Sequence, residues 1–413
     1  MNKFAAIFFI LCVGVLMVQA QDIRHLETEL PGYVPEPQVP QSNYLIGMNY
    51  FPGWKWGTHR GWKDIEAYPD RTPLLGYYDE GNPEVMDWEI KWALEHGIDF
   101  FLFCWYRGPE GVKVRPSTMH LGHALHDGFF KAKYAPRFQF AIMWENQAKK
   151  DNGVADLNDL MKNLLPYWIE NYFKRPNYVK INNKPLLVVY HLDRLNEELG
   201  GVAGTKKALD MMREACKKAG FAGLVIACEH RGNDRAFLTR MKDSGFDFHY
   251  TYCYHPEERQ PTATQAINYQ LTMLQLWQDW NILPVIPTLS VGFEPKPWEN
   301  NNPETPWVYW QTIKRWRLNG PEWLTLLQKA KPLIDTMPVL EDGSKMVILD
   351  NWNEWSEGHY IAPSAFAGFQ YLQAVRDVFS ERDNLPDYRT PAQLGFGPYD
   401  LLYKAAVKDS SKK

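Results

Sequence analysis

Several common chemistries are missing from this chain, and each gap narrows its function. Cysteine is scarce, with 5 in 413 residues. Cys12 lies in an N-terminal apolar run without a lipobox, and Cys104, Cys216, Cys228 and Cys253 show no CxxC or Cys/His spacing. Three of those four fall in apolar, strand-like runs. Buried free thiols are expected, and no structural zinc site. Excess charge of one sign is lacking too. Lys and Arg number 45 against 49 Asp and Glu, a net charge of -4, which gives no basic field for nucleic acid. No GxSxG elbow, HExxH helix or Walker loop occurs, and no Gly-rich phosphate or dinucleotide fingerprint follows a strand. Neither a metal nor a cofactor is expected.

Long apolar runs are absent after residue 20. The first twenty residues combine Lys3, an apolar run over 4–18 and a small-residue site ending at Ala20. That pattern is a secretory signal peptide, and its apolar run is short for a span of about 20 residues. The mature chain is expected to be exported, periplasmic or extracellular, without a stable membrane span.

Aromatic residues are what the chain has in quantity: 15% of it, with 17 Trp. Some sit in polar, Pro-rich stretches such as "PWENNNPETPWVYWQ". Flat rings with polar tips suit a partly wet cleft.

Residues 21–42 are Pro-rich and predict an extended lead-in. Eight apolar runs follow: "YLIGMNYF", "IDFFLFCWY", "FQFAIMWEN", "PLLVVYHLD", "GLVIACEHR", "FDFHYTYCYHP", "ILPVIPTLSVGF" and "KMVILDNWNEW". Amphipathic runs between them include 83–97, 154–173, 204–220, 262–280 and 368–380. Near-continuous hydrophobicity marks parallel strands buried on both faces. The alternation predicts a single α/β domain over 43–385, a (β/α)8 barrel, followed by a tail over 386–413. An open doubly wound sheet is the competing arrangement. Two long connections, 51–82 after strand 1 and 294–319 after strand 7, would wall a cleft. Polar and aromatic residues gather at the strand ends, which in a barrel form the active rim.

The last run ends in "ILDNWNEWSEGHYIAPS", residues 348–364. Glu354 and Glu357 stand three apart, and on a turn or incipient helix such positions face one way, roughly 5–6 Å apart at Cβ. Paired carboxyls about 5–5.5 Å apart suit retaining glycoside cleavage. Trp352 and Trp355 would desolvate one acid and raise its pKa, making it a general acid. On spacing alone, a helix cap plus a surface glutamate is the commoner reading, because ExxE is a common pattern.

"NWNEWSEGHYIAPS", with "GMNYFPGW", "FFLFCWY" and "KPLLVVY", resembles glycoside hydrolase family 99 and its WbsX-like relatives over roughly residues 44–380. The resemblance implies a (β/α)8 barrel acting on glycosides, typified by endo-α-1,2-mannosidases. It gives Glu354 the proton of the sugar's 2-hydroxyl, with retention through a 1,2-anhydro sugar. It gives Glu357 the leaving oxygen, and then the attacking water. That route requires a 1,2-trans glycoside, such as an α-mannoside or α-rhamnoside. "HYIAPS" leaves the mannosidase pattern for the WbsX-like branch, so the sugar stays open, as does a direct carboxylate nucleophile.

Further candidates for carbohydrate binding are Tyr50, Trp54, Trp105, Tyr106, Arg107, Glu145, Asn146, His191, Glu229, His230, Tyr252, His255 and Trp355. Packing of the first loop is the other reading of Tyr50 and Trp54, and a buried hydrogen-bond network that of Glu145 and Asn146. Asn351 and Asn353 are expected to brace the turn. Two other functions fit the same residues: a WbsX-like glycosyltransferase of polysaccharide assembly, or a non-catalytic carbohydrate-binding barrel. The export signal counts against the first, because sugar nucleotides are cytoplasmic.

Overall fold

The computed structural model describes residues 32–58, 61–301, 313–381 and 384–410. The expected signal peptide and residues 21–31 of the lead-in lie outside them. Eight parallel strands form the centre: β1 (Tyr44–Tyr50), β2 (Phe100–Trp105), β3 (Gln139–Trp144), β4 (Lys184–Val189), β5 (Val225–Glu229), β6 (Phe248–Tyr250), β7 (Thr288–Ser290) and β8 (Lys345–Asp350). They pair in the order β6-β5-β4-β3-β2-β1-β8-β7. The seam between β6 and β7 is joined by one parallel bridge, His249 to Val285. There His249 N donates to Pro284 O at 3.0 Å and Ile286 N donates to His249 O at 2.8 Å. The result is the expected (β/α)8 barrel.

Burial explains why these runs became strands. Every residue of β2, "FFLFCW", is buried, with one face on the barrel interior and the other on the helices. The interior is filled rather than hollow. A Cβ on Gly47 would stand 2.0 Å from Cζ of Phe100, its register partner on β2, so only glycine leaves room for that ring to lie over β1.

The outer layer is less regular than the alternation predicts. Between β2 and β3 only single turns occur, at Ala124–Gly128, Phe129–Lys131 and Ala135–Arg137. The run over 154–173 is broken into α and wider turns, with Pro166, which has no N–H to donate, at the start of the Leu165–Trp168 piece. Helices also come from stretches not picked out above, among them α1 (Leu192–Leu199), α2 (Arg235–Asp243) and α3 (Gly320–Thr336). The last begins on a capping box of Asn319 and Glu322.

The expected boundary at 385 does not mark where packing ends. Trp88 Nε1 donates to Tyr399 Oη at 2.8 Å. Tyr403 is buried against Trp56 and Tyr77. The C-terminal segment therefore braces the first long loop.

Candidate active site

β8 delivers the acidic motif to the C-terminal rim. The two glutamates sit on a hairpin, so of the expected turn or incipient helix the chain makes the turn. Asn353–Glu354 pairs antiparallel with His359–Tyr360, and residues 355–358 form the turn. Gly358 carries φ 72°, and a Cβ there would stand 2.8 Å from Glu294 O, so the turn demands glycine.

The hairpin is anchored from below and beside. The Asn353 side chain accepts from Phe51 N at 2.8 Å and donates to Phe51 O at 2.9 Å. Asn351 Nδ2 donates to the Tyr252 hydroxyl at 2.8 Å. Arg71 Nη1 donates to Trp355 O at 2.8 Å, and its Nη2 meets Glu294 Oε2 at 2.6 Å. Both asparagines thus brace the turn rather than face a ligand.

A cavity of about 420 Å³ opens above the barrel axis. Glu354 and Glu357 line it together with Phe51, Cys104, Tyr106, Met143, Glu145, Gln147, Tyr190, Arg231, Tyr252, His255, Phe293 and Trp298. Glu354 is 3% exposed, and its Oε2 accepts from the Tyr252 hydroxyl at 3.2 Å. Burial first, and then the nearby Glu357 charge, hold the Glu354 carboxyl well above the usual carboxylate range. Glu357 is half-buried, and its Oε2 stands 3.0 Å from His359 Nε2. The two acids share one cavity but not one environment.

Across the cavity, burial also raises Glu145. Arg231 meets Glu229 Oε1 at 2.5 Å and donates to the Tyr190 hydroxyl at 2.7 Å. It also lies 2.9 Å from His255 Nε2. Burial, and then the Arg231 charge, lower His255 to about 3, so its Nε2 is an acceptor.

Of the residues singled out from sequence, Tyr106, Glu145, Tyr252 and His255 join the two acids at this cavity. The others lie elsewhere. Tyr50 is buried and donates to Glu89 Oε2 at 2.8 Å, on the helix behind the sheet. Trp54 stacks on Trp62, ring centres 4.5 Å apart, inside the first loop. Trp105 points outward and donates to the Tyr172 hydroxyl at 2.8 Å. Arg107 is clamped on Asp159 at 2.6 and 2.7 Å and on the carbonyls of Gly153 and Val112. It is a structural ion pair, out of reach of a sugar. Asn146 exchanges hydrogen bonds with the His191 backbone at 2.7 and 3.0 Å. His191 caps α1 through Nδ1, at 3.1 Å from Arg194 N. Glu229 braces Arg231, and His230 stacks on Phe237. His191, Glu229 and His230 border a separate depression of about 270 Å³. Trp355 is fully buried against Tyr360, ring centres 4.3 Å apart, with Nε1 3.3 Å from the Tyr78 hydroxyl.

Arg231, Tyr190, Phe293 and His359 were not foreseen. A usable signal existed for Arg231. Strand side chains alternate, so Glu229 and Arg231 share a face that His230 does not. The four cysteines past residue 20 are all free and buried. Among the described residues no cluster of His, Cys, Asp or Glu is arranged to hold a metal ion.

Eight parallel strands closed into a barrel, with two carboxyls on the hairpin that follows the last strand, define a (β/α)8 barrel with an acidic rim. The chain belongs to the family described as Glycosyltransferase WbsX, whose model matches residues 66–286 and 325–375 and so includes both acids. An uncharacterised protein, WxcX, of Xanthomonas campestris pv. campestris is 23% identical over 389 residues, covering 87% of this chain and 50% of the relative. The chain spans about half the length of the curated relatives it matches. Among solved structures, a GH99 endo-alpha-mannosidase from Bacteroides thetaiotaomicron superposes with a TM-score of 0.54 at 15% identity, covering 80% of this chain and 95% of that one. Its complex with BIS-TRIS-propane gives 0.56 at 16% identity, with the same coverage. At such identities the likeness establishes the fold alone.

Proposed function

We propose that this chain is an exported retaining glycoside hydrolase that cleaves a 1,2-trans linkage of an α-mannoside or α-rhamnoside type. The observation that carries the reading is the hairpin, which presents Glu354 and Glu357 to one cavity with unlike surroundings. Glycoside cleavage needs one carboxyl to give a proton and one to take a proton. The high proton affinity of Glu354 makes it a strong base once ionised. Glu354 accepts the proton of the sugar's 2-hydroxyl, whose oxygen attacks C1. Glu357 gives its proton to the leaving oxygen as the C1–O bond breaks with its electron pair. Water then opens the anhydro ring at C1 and loses a proton to Glu357, while Glu354 returns its own to O2.

The ends of the cavity fit a sugar. Tyr106, Tyr190, Tyr252 and Phe293 supply ring faces, and Glu145, Gln147 and His255 supply hydrogen-bond partners. Glu145 and the two catalytic acids face a single arginine already paired with Glu229, which favours a neutral sugar over an acidic one.

Transfer to an acceptor hydroxyl is the second reading, favoured by the description of the family. The same two carboxyls would perform it, with an alcohol in place of water. Incubation of the full chain with 1,2-trans oligosaccharides, with and without a nucleotide-sugar donor, separates the two. Release of shorter sugars without donor supports hydrolysis. Activity only with donor overturns it, and binding without turnover leaves a carbohydrate-binding barrel. Mass measurement of the exported chain tests cleavage after Ala20.

A further inference from the structure

We infer that His359 is a positioning residue that stores the proton Glu357 hands to the leaving oxygen. The inference rests on the reading of Glu357 as the acid.

The imidazole is fully buried and does not reach the cavity. It is suspended between two carboxylates, Nδ1 2.7 Å from Asp350 Oδ1 and Nε2 3.0 Å from Glu357 Oε2. Asp350 is held in turn, its Oδ2 accepting from the Ser290 hydroxyl at 2.6 Å. Carboxylates accept, so a histidine bonded to one at each nitrogen carries a proton on both. The Tyr252 and Phe293 rings pack edge-on at 5.8 and 5.7 Å and keep water from the imidazole.

The charges around it agree. From β8 it faces Asp350, and from its own hairpin Glu354 and Glu357. From beyond β5 and β6, Arg231 and His255 face the same cluster, and His255 is neutral. Burial alone would discharge the imidazole, but Asp350 and Glu357 outweigh it and raise it to about 10.

The step balances. As the C1–O bond breaks, the leaving oxygen keeps the electron pair and takes the proton of Glu357. That proton is drawn from Nε2 through Glu357, so Glu357 ends the step as a carboxylate and His359 is neutral, with Nδ1–H still on Asp350. In the second half, water attacks C1 and its proton returns through Glu357 to Nε2. A histidine that merely tied the hairpin together would take no part in this cycle.

Two measurements decide. The first is a nitrogen-15 titration of the histidine-labelled full chain, with His359 assigned from His359→Gln. Both ring nitrogens are expected to stay protonated through neutral pH, and Glu357→Gln is expected to lower the midpoint. An imidazole that is neutral at pH 7 overturns the inference. The second is turnover by His359→Gln against pH. Cleavage of sugar leaving groups is expected to fall about 100-fold or more, with the alkaline limb moved to lower pH. Aryl glycosides with an activated leaving group, which need little proton donation, are expected to stay within about tenfold. Equal loss on both substrates with an unmoved limb means a structural role and overturns the inference. If no glycoside is cleaved while His359 stays doubly protonated, the hydrolase reading fails and takes the role of the stored proton with it, whereas a neutral His359 in an active hydrolase overturns the inference alone.

Discussion

The Tyr252 hydroxyl donates to Glu354 Oε2 at 3.2 Å, so the segment just after β6, two strands along from β8, sets the state of an acid on the hairpin that follows β8. A donor to a carboxylate stabilises its charged form, and this one works against the burial that favours the neutral form. Tyr252→Phe removes it. A hydrogen bond to a charged group is worth about 1.5–3 kcal/mol, or about one to two pH units. Glu354 must be ionised to act as base, so activity is lost as pH falls through its raised pKa. The acid limb of kcat/KM is therefore expected above the usual carboxylate range in the wild type, and higher still in Tyr252→Phe. An acid limb that stays put on removing the phenol would break the link.

The 2-hydroxyl route predicts a particular failure. Glycosides whose 2-hydroxyl is replaced by fluorine are expected to be inert and to leave no label on Glu354 or Glu357 by peptide mass spectrometry. A fluoroglycosyl adduct on either acid would instead establish a carboxylate nucleophile. Glu354→Gln and Glu357→Gln are each expected to lower cleavage of sugar leaving groups by about 10²–10⁴.

Arg107 tests the separation between support and binding. It is buried, bidentate on Asp159, and capped by two carbonyls. Arg107→Ala strands the carboxylate and is expected to cost roughly 3–5 kcal/mol of stability by denaturant unfolding. The KM of the folded remainder is expected to be unchanged. A raised KM at unchanged stability would return Arg107 to the substrate.

Glu89 predicts a pH dependence of stability. Burial raises it to about 8, against hydrogen bonds from the Trp352, Tyr50 and Tyr78 side chains. Its pKa in the fold lies above that in the unfolded chain. Its contribution is thus full below the unfolded value and fades as pH rises through about 8. Glu89→Gln keeps an acceptor for Tyr50 and cannot ionise. Its melting temperature relative to wild type is expected to climb between mildly acidic and mildly alkaline pH and then level off. A difference that is flat across that range would mean Glu89 is charged in the fold.

How much of this was legible from residues alone follows from what each signal measures. Apolar runs such as "FFLFCW" marked all eight strands, because a strand buried on both faces has no polar positions to confuse it. The rim was read too generously. Trp105, Tyr106 and Arg107 were taken together, yet alternation sends only Tyr106 into the cavity. The same rule parts Glu145 from Asn146 and Arg231 from His230. Trp355 shows a different limit. Indoles beside an acid can shield it from behind as well as from the cavity, and spacing does not tell which. His359 was hidden because its partners, Asp350 and Glu357, converge on it only once the chain has turned back on itself.

The hairpin over residues 353–360 holds both acids and the histidine on one short piece of chain, whereas Tyr106, Glu145 and Arg231 come from three separate staves of the barrel. The spacing of the two acids is therefore set by one stretch of chain and most of the wall by others, with Tyr252, which bonds Glu354, joining the two. On the proposed reading, substitutions at Tyr106, Glu145 or Arg231 would retune which sugar enters while the hairpin keeps its set, so grafting those residues between relatives is the economical way to change what this barrel recognises.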